Sequence, residues 1–143
     1  MTDDDFEKLI EELQHKIEYL DGQKYSKIVI RESKNPSNFG ILNDPDTIGK
    51  IKGPCGDTMK ITLEIQNNRI TNACFWTDGC GATIACGSKL TKMIKGKYLR
   101  ELEEISSLQL IEALEGLPVE HTHCSILAIN TLHKAIKNYN KTE

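Results

Sequence analysis

Met59-Lys60-Ile61-Thr62-Leu63-Glu64-Ile65-Gln66-Asn67-Asn68-Arg69-Ile70-Thr71-Asn72-Ala73-Cys74-Phe75-Trp76-Thr77-Asp78-Gly79-Cys80-Gly81 decides the fold of this 143-residue chain. Met59, Ile61, Leu63 and Ile65 alternate with Lys60, Thr62, Glu64 and Gln66, the period of a strand with one buried face. Asn67-Asn68 predicts a hairpin turn. Arg69 to Thr77, with Ile70, Thr71, Phe75 and Trp76, predicts the returning strand. Past Gly79 the pattern becomes helical and stays so to the end of the chain.

Downstream, helices are expected over Gly81 to Ile94 with a stop at Gly96, over Leu99 to Glu103, over Leu108 to Leu114 closed by Gly116, and over Cys124 to Tyr139. Upstream, Ile48 to Lys52 reads as a third, edge strand. It is preceded by the turn segments Asn35-Pro36-Ser37-Asn38-Phe39-Gly40 and Asp44-Pro45-Asp46 and by a short helix from Tyr25 to Ser33. Strands first and helices after predict an α+β domain: a small three-stranded antiparallel sheet with helices packed on one face.

An extra N-terminal helix is expected over Phe6 to Leu20. Phe6, Ile10, Leu13, Ile17 and Leu20 recur in steps of four and three, a narrow amphipathic seam of coiled-coil type. Asp3 to Asp5 suit the positive end of its dipole, and Asp21-Gly22 ends it. The chain thus divides into a helical extension, residues 1–22, and a main domain, residues 23–143. The seam fits packing on its own domain or the docking of a partner or a second copy, which would make a homodimer.

Hydrophobic residues make up 38% and charged residues 27%, enough apolar material for one folded domain. A net charge of −3 gives no reason to expect nucleic acid or an anionic membrane as partner. The acidic N-terminus has no basic, apolar leader, and no apolar run is long enough to span a bilayer. The expected address is the cytoplasm, where five cysteines do not form a disulfide framework.

Three of those cysteines sit where a thiolate is useful. Cys55 lies in Gly53-Pro54-Cys55-Gly56-Asp57, whose small residues let an inorganic centre approach the backbone. Asp57, two residues on, points to the same side in an extended segment. Cys80, in Gly79-Cys80-Gly81, begins a helix, where exposed N–H groups and the dipole favour the thiolate. Cys124 also stands at a helix start, with His121 and His123 within reach. Cys74 is mid-strand. Cys86 is about two-thirds of a turn around the helix axis from Cys80. Both read as structural. The residues alone indicate a metal or cluster site, without the C-x₂-C pairs of zinc ribbons or ferredoxins.

Those same residues carry a resemblance. Tyr25-Ser26-x-x-Val29-Ile30, Asn35-Pro36-x-Asn38-x-Gly40, Gly53-Pro54-Cys55-Gly56-Asp57-x-Met59, Phe75-x-Thr77-x-Gly79-Cys80-Gly81-Ala82-x-Ile84-Ala85, Ser88-x-Leu90-Thr91, Gly96-Lys97 and His123-Cys124-Ser125-x-Leu127-Ala128 resemble the IscU/NifU-type iron–sulfur cluster assembly scaffolds.

The resemblance implies a non-enzymatic scaffold on which a [2Fe-2S] cluster is built and passed to recipient apo iron–sulfur proteins. Cys55, Cys80 and Cys124 would be cluster ligands, with Asp57 and His123 auxiliary ligands. A cysteine desulfurase would deliver persulfide sulfur, with Cys124 as acceptor. The family's Leu-Pro-Pro-x-Lys before the His-Cys pair is here Leu117-Pro118-Val119-Glu120-His121, which departs from the pattern linked to chaperone-driven release. The competing reading is the related zinc-dependent sulfur acceptor, since the same ligands suit zinc. Its relatives carry an insertion between the second and third cysteines that this chain lacks. A thiol enzyme using a Cys124–His121 pair would need an orienting group and an oxyanion motif that the sequence does not offer.

Overall fold

The hairpin forms where the alternation places it. In the computed structural model, which describes residues 3–20, 25–54 and 56–142, β2 (Thr58–Gln66) and β3 (Arg69–Thr77) pair antiparallel. They turn at Asn67 and Asn68, whose φ angles of 55° and 63° are those of a primed turn matched to strand twist. Asparagine tolerates this left-handed region better than most residues. β1 (Thr47–Lys52) pairs with the other edge of β2, giving the order β1-β2-β3.

Before the sheet come α1 (Asp3–Leu20) and α2 (Lys27–Lys34). After it come α3 (Gly81–Ile94), α4 (Leu99–Glu103), α5 (Ser107–Ala113) and α6 (Thr122–Thr142). Met59, Ile61 and Leu63 of β2 and Ala73 and Phe75 of β3 are fully buried beneath α3 and α6, which lie on one face of the sheet. The free edge of β3 is covered by the chain before β1: Gly40 N–H donates to Phe75 O (2.7 Å) and Phe75 N–H to Asn38 O (2.9 Å). That segment then crosses to β1, where the Asp46 carboxylate accepts from Ile65 N–H (2.7 Å).

Some boundaries move. α2 starts at Lys27 because Ser26 is its cap, the hydroxyl accepting from Val29 N–H (3.1 Å). Tyr25 is therefore outside the helix. α6 starts two residues before Cys124, fed by one 3₁₀ turn, Val119–His121, that follows Pro118. Cys124 thus lies in the first turn. α2 is fixed on α3 by Glu32, which is 1% exposed, forms an ion pair with Lys92 and accepts from Ser88 Oγ (3.3 Å). α1 extends over the expected residues. The side chains of residues 12–20, the helix stop at Asp21-Gly22 and the expected boundary between residues 22 and 23 lie outside the description. Among the described residues no helix is long and apolar enough to cross a membrane.

Candidate metal centre

Two helix N-termini supply the sulfur donors. Cys80 is the N-cap of α3, extended at φ −72° and ψ 178°. Cys124 enters from the first turn of α6. Between the thiols stands Thr83, one turn into α3: its hydroxyl donates to Cys124 Sγ (3.3 Å) and lies 3.6 Å from Cys80 Sγ. Cys80 is exposed and Cys124 buried.

The two thiols are close neighbours, and the interaction between them sets their protonation. Cys124 donates to Cys80, the backbone N–H groups of Thr83 and Ala82 and the Thr83 hydroxyl add to it, and burial opposes. The Cys80 pKa falls from 9.0 to about 4. Cys124 is pushed up, first because the bond to Cys80 holds its proton and then by burial. Burial pushes Cys86 up to about 12 and raises Cys74, as expected of structural thiols. In the metal-free protein, Cys80 is therefore expected to react with iodoacetamide first, at a rate nearly flat between about pH 6 and 8, whereas an ordinary thiol gains close to tenfold per unit. Peptide mapping after brief alkylation checks this. Faster labelling of Cys124 would reverse the order.

One ring nitrogen of His121 and the sulfurs of Cys80 and Cys124 lie within 4.8 Å of one another, a geometry able to hold a metal ion. His123 is adjacent in a different way, its Nε2 3.6 Å from Cys124 Sγ; the two imidazoles stack loosely with centroids 6.1 Å apart. Asp57 approaches from the loop before β2. A Cβ built on Gly79 would lie 2.9 Å from Asp57 Oδ2, so the absent side chain beside Cys80 leaves room for this carboxylate. Turn capping here belongs to Asp78, whose Oδ1 accepts from Thr58 N–H (2.7 Å).

Cys55 lies outside the described residues. Its flanks form a tight loop, with Gly53 N–H donating to Asp57 O (2.7 Å), Gly56 N–H donating to Gly53 O (3.0 Å) and Gly56 at φ 90°. Thr83 is a site residue that sequence reasoning missed, although its place three residues after a helix-start cysteine is the signal that finds it. The Tyr25 hydroxyl, 2.8 Å from His121 Nε2, leaves no such local trace.

Comparison with known proteins identifies the family. The NifU-like N-terminal domain family matches residues 24–143. The chain is 42% identical over 116 residues to the iron–sulfur cluster assembly scaffold protein IscU 1 of Archaeoglobus fulgidus, covering 80% of this chain and 76% of that one. It is 39% identical over 119 residues to the IscU scaffold of Aquifex aeolicus, covering 81% and 76%. The fold resembles the crystal structure of the N-terminal part of a NifU-like protein from Brucella abortus, with a TM-score of 0.69 at 16% identity over 82% of this chain and 95% of that one. On the motif residues, the fold and these matches over most of its length, the chain belongs to the family of NifU-like N-terminal domains that includes the IscU scaffolds.

Proposed function

We propose that this chain is a scaffold that assembles a [2Fe-2S] cluster and gives it away. The observation that carries the reading is the convergence of Cys80 and Cys124 from two helix N-termini, with imidazole beside them and the Asp57 carboxylate against Gly79. The ligand set is Cys55, Asp57, Cys80, His123 and Cys124, carried by residues 23–143 with 1–22 as an extension. The cluster is cargo, so the protein is a platform rather than a catalyst. Its partners are a cysteine desulfurase and recipient apo-proteins, and its address is the reducing cytoplasm that free thiolates require. The same donors also accept zinc.

Sulfur arrives by thiol exchange. Cys124 passes its proton to the neighbouring Cys80 thiolate and attacks the outer sulfur of the desulfurase persulfide; a new S–S bond forms on Cys124, and the desulfurase thiolate leaves. Cys124 is buried as folded, so receipt requires the Val119–His121 turn between Gly116 and α6 to open. Val119 on that turn is 85% exposed and adds no packing against opening, so the contact to be broken is the one between His121 and the Tyr25 hydroxyl.

Release depends on Asp57. A carboxylate oxygen is harder than a thiolate and exchanges more readily with water or an incoming thiolate. Asp57→Ala is expected to assemble the cluster yet transfer it to apo-ferredoxin roughly tenfold more slowly, about 1.4 kcal/mol of barrier. Anaerobic reconstitution followed by transfer half-time, with melting temperature on the same preparation, tests both points. Unchanged or faster transfer would remove Asp57 from the site. Stoichiometric zinc that iron and sulfide cannot displace would favour the sulfur-acceptor reading.

A further inference from the structure

We infer that His121 is itself a metal ligand, through Nδ1, and that the Tyr25 hydroxyl is the positioning residue that fixes its ring for that task. The inference rests on reading the site as a metal centre. It adds to that reading a histidine other than His123 and a hydrogen bond from the far end of the chain.

His121 is the imidazole that shares a 4.8 Å neighbourhood with both thiols. Its two nitrogens have different fates. Nε2 is 2.8 Å from the Tyr25 hydroxyl. Nδ1 is buried with no hydrogen-bond partner among the described residues. Buried polar atoms are normally satisfied, and an orphan nitrogen in a ring near two thiols fits a partner that the described residues do not supply. A metal on Nδ1 requires the ring proton on Nε2, and the Tyr25 oxygen is in place to accept it. That is the usual pairing of a metal-bound histidine with an acceptor on its second nitrogen.

The brace is anchored to the helix layer that also holds Cys80. Tyr25 precedes Ser26, whose hydroxyl donates to Leu114 O (2.5 Å) while capping α2. α2 is locked to α3 through Glu32, Lys92 and Ser88, and α3 begins at Cys80. The tyrosine is therefore tied, through the start of α2, to the helix that begins at Cys80. Two thiolates and one imidazole make a donor set of intermediate softness, suited to a single divalent ion such as Fe²⁺ or Zn²⁺. Occupied in this way before sulfide arrives, the centre would hold the first iron.

The test uses the full metal-free chain, titrated anaerobically with Co²⁺ as the probe. Thiolate-to-cobalt charge-transfer bands report the sulfur donors, and the visible d–d bands report the rest of the coordination sphere. His121→Ala is expected to weaken Co²⁺ binding roughly 10–100-fold and to change the d–d envelope. Tyr25→Phe, which keeps the ligand but removes the brace, is expected to weaken binding roughly tenfold with the envelope retained. Circular dichroism confirms that each variant is folded, and Tyr25→Phe carries the test should His121→Ala fail to fold. Wild-type affinity and spectrum in both variants, or a loss carried by His123→Ala instead, would overturn the inference and leave the metal centre standing. Absence of thiolate-to-cobalt bands in the unmutated chain would overturn both.

Discussion

Gly49→Val is expected to cost about 3 kcal/mol of folding stability, lowering the melting temperature by roughly 10 °C and disordering the metal centre with it. Strand propensity predicts the opposite sign, since valine is a better strand residue than glycine by up to about 1 kcal/mol. Packing decides the contest. Gly49, opposite Ile61 in the β1–β2 register, is where α6 crosses the sheet. A Cβ there would lie 2.6 Å from Ala135 N and 2.9 Å from Ala135 Cβ, and closest of all to Thr131 O. Those neighbours are backbone and the first side-chain atom of a helix, so they cannot swing aside.

The same helix is stitched to β1 by the Thr47 hydroxyl donating to Ala135 O (2.7 Å), and its first turn carries Cys124. A helix pushed off Gly49 carries that thiol away from Cys80 and Thr83. Gly53→Ala is the control: its Cβ would meet the branch ends of Leu127 at 3.4 and 3.5 Å, which can rotate, and Asp57 O at 3.6 Å, an ordinary van der Waals distance. Melting of Gly49→Val within a few degrees of the parent would refute the close-packing account.

The hairpin was legible because one buried face imposes a period of two on β2, and the two asparagines supply the left-handed turn. Helices were legible as segments but not at their ends. Pro118 feeds a 3₁₀ turn whose hydrogen bonds, His121 N–H to Pro118 O (2.8 Å) and Thr122 N–H to Val119 O, have no periodic signature, so α6 begins earlier than its apolar pattern. Cys80 and Cys124 stood out through their glycine and proline surroundings. The burial of Cys124 and the exposure of Cys80 were not legible, because they depend on how α3 and α6 meet. Likewise, sequence places His121 and His123 equally near Cys124. Only the fold brings Tyr25, 96 residues away, to one of them.

Cys80→Ser and Cys124→Ser are each expected to abolish the reconstituted cluster, while Cys74→Ser and Cys86→Ser keep it. A serine hydroxyl is a harder donor and stays protonated at neutral pH, so it replaces neither the charge nor the softness of a thiolate. Loss at Cys80 also removes the acceptor for the Cys124 proton, and loss at Cys124 removes the donor that most depresses Cys80. Cys55→Ser is expected to fail in the same way on the grounds of its sequence setting.

Cys86 behaves differently because burial alone dominates it. It is 0% exposed within α3, and its pKa of about 12 keeps it protonated. Serine there places a hydroxyl in an apolar core, at a cost of about 1–3 kcal/mol, so the variant should melt lower and still bind iron and sulfide in full. Cys74 alternates with the buried Ala73 and Phe75, which turns it to the opposite face of the sheet from α3 and Cys80. Its replacement should change neither property. Iron, sulfide and visible absorption per chain, measured beside a melting curve, separate the two classes: ligand variants lose the colour, and Cys86→Ser loses only stability. A coloured, fully loaded Cys80→Ser or Cys124→Ser protein would mean that the converging thiols do not hold the cluster.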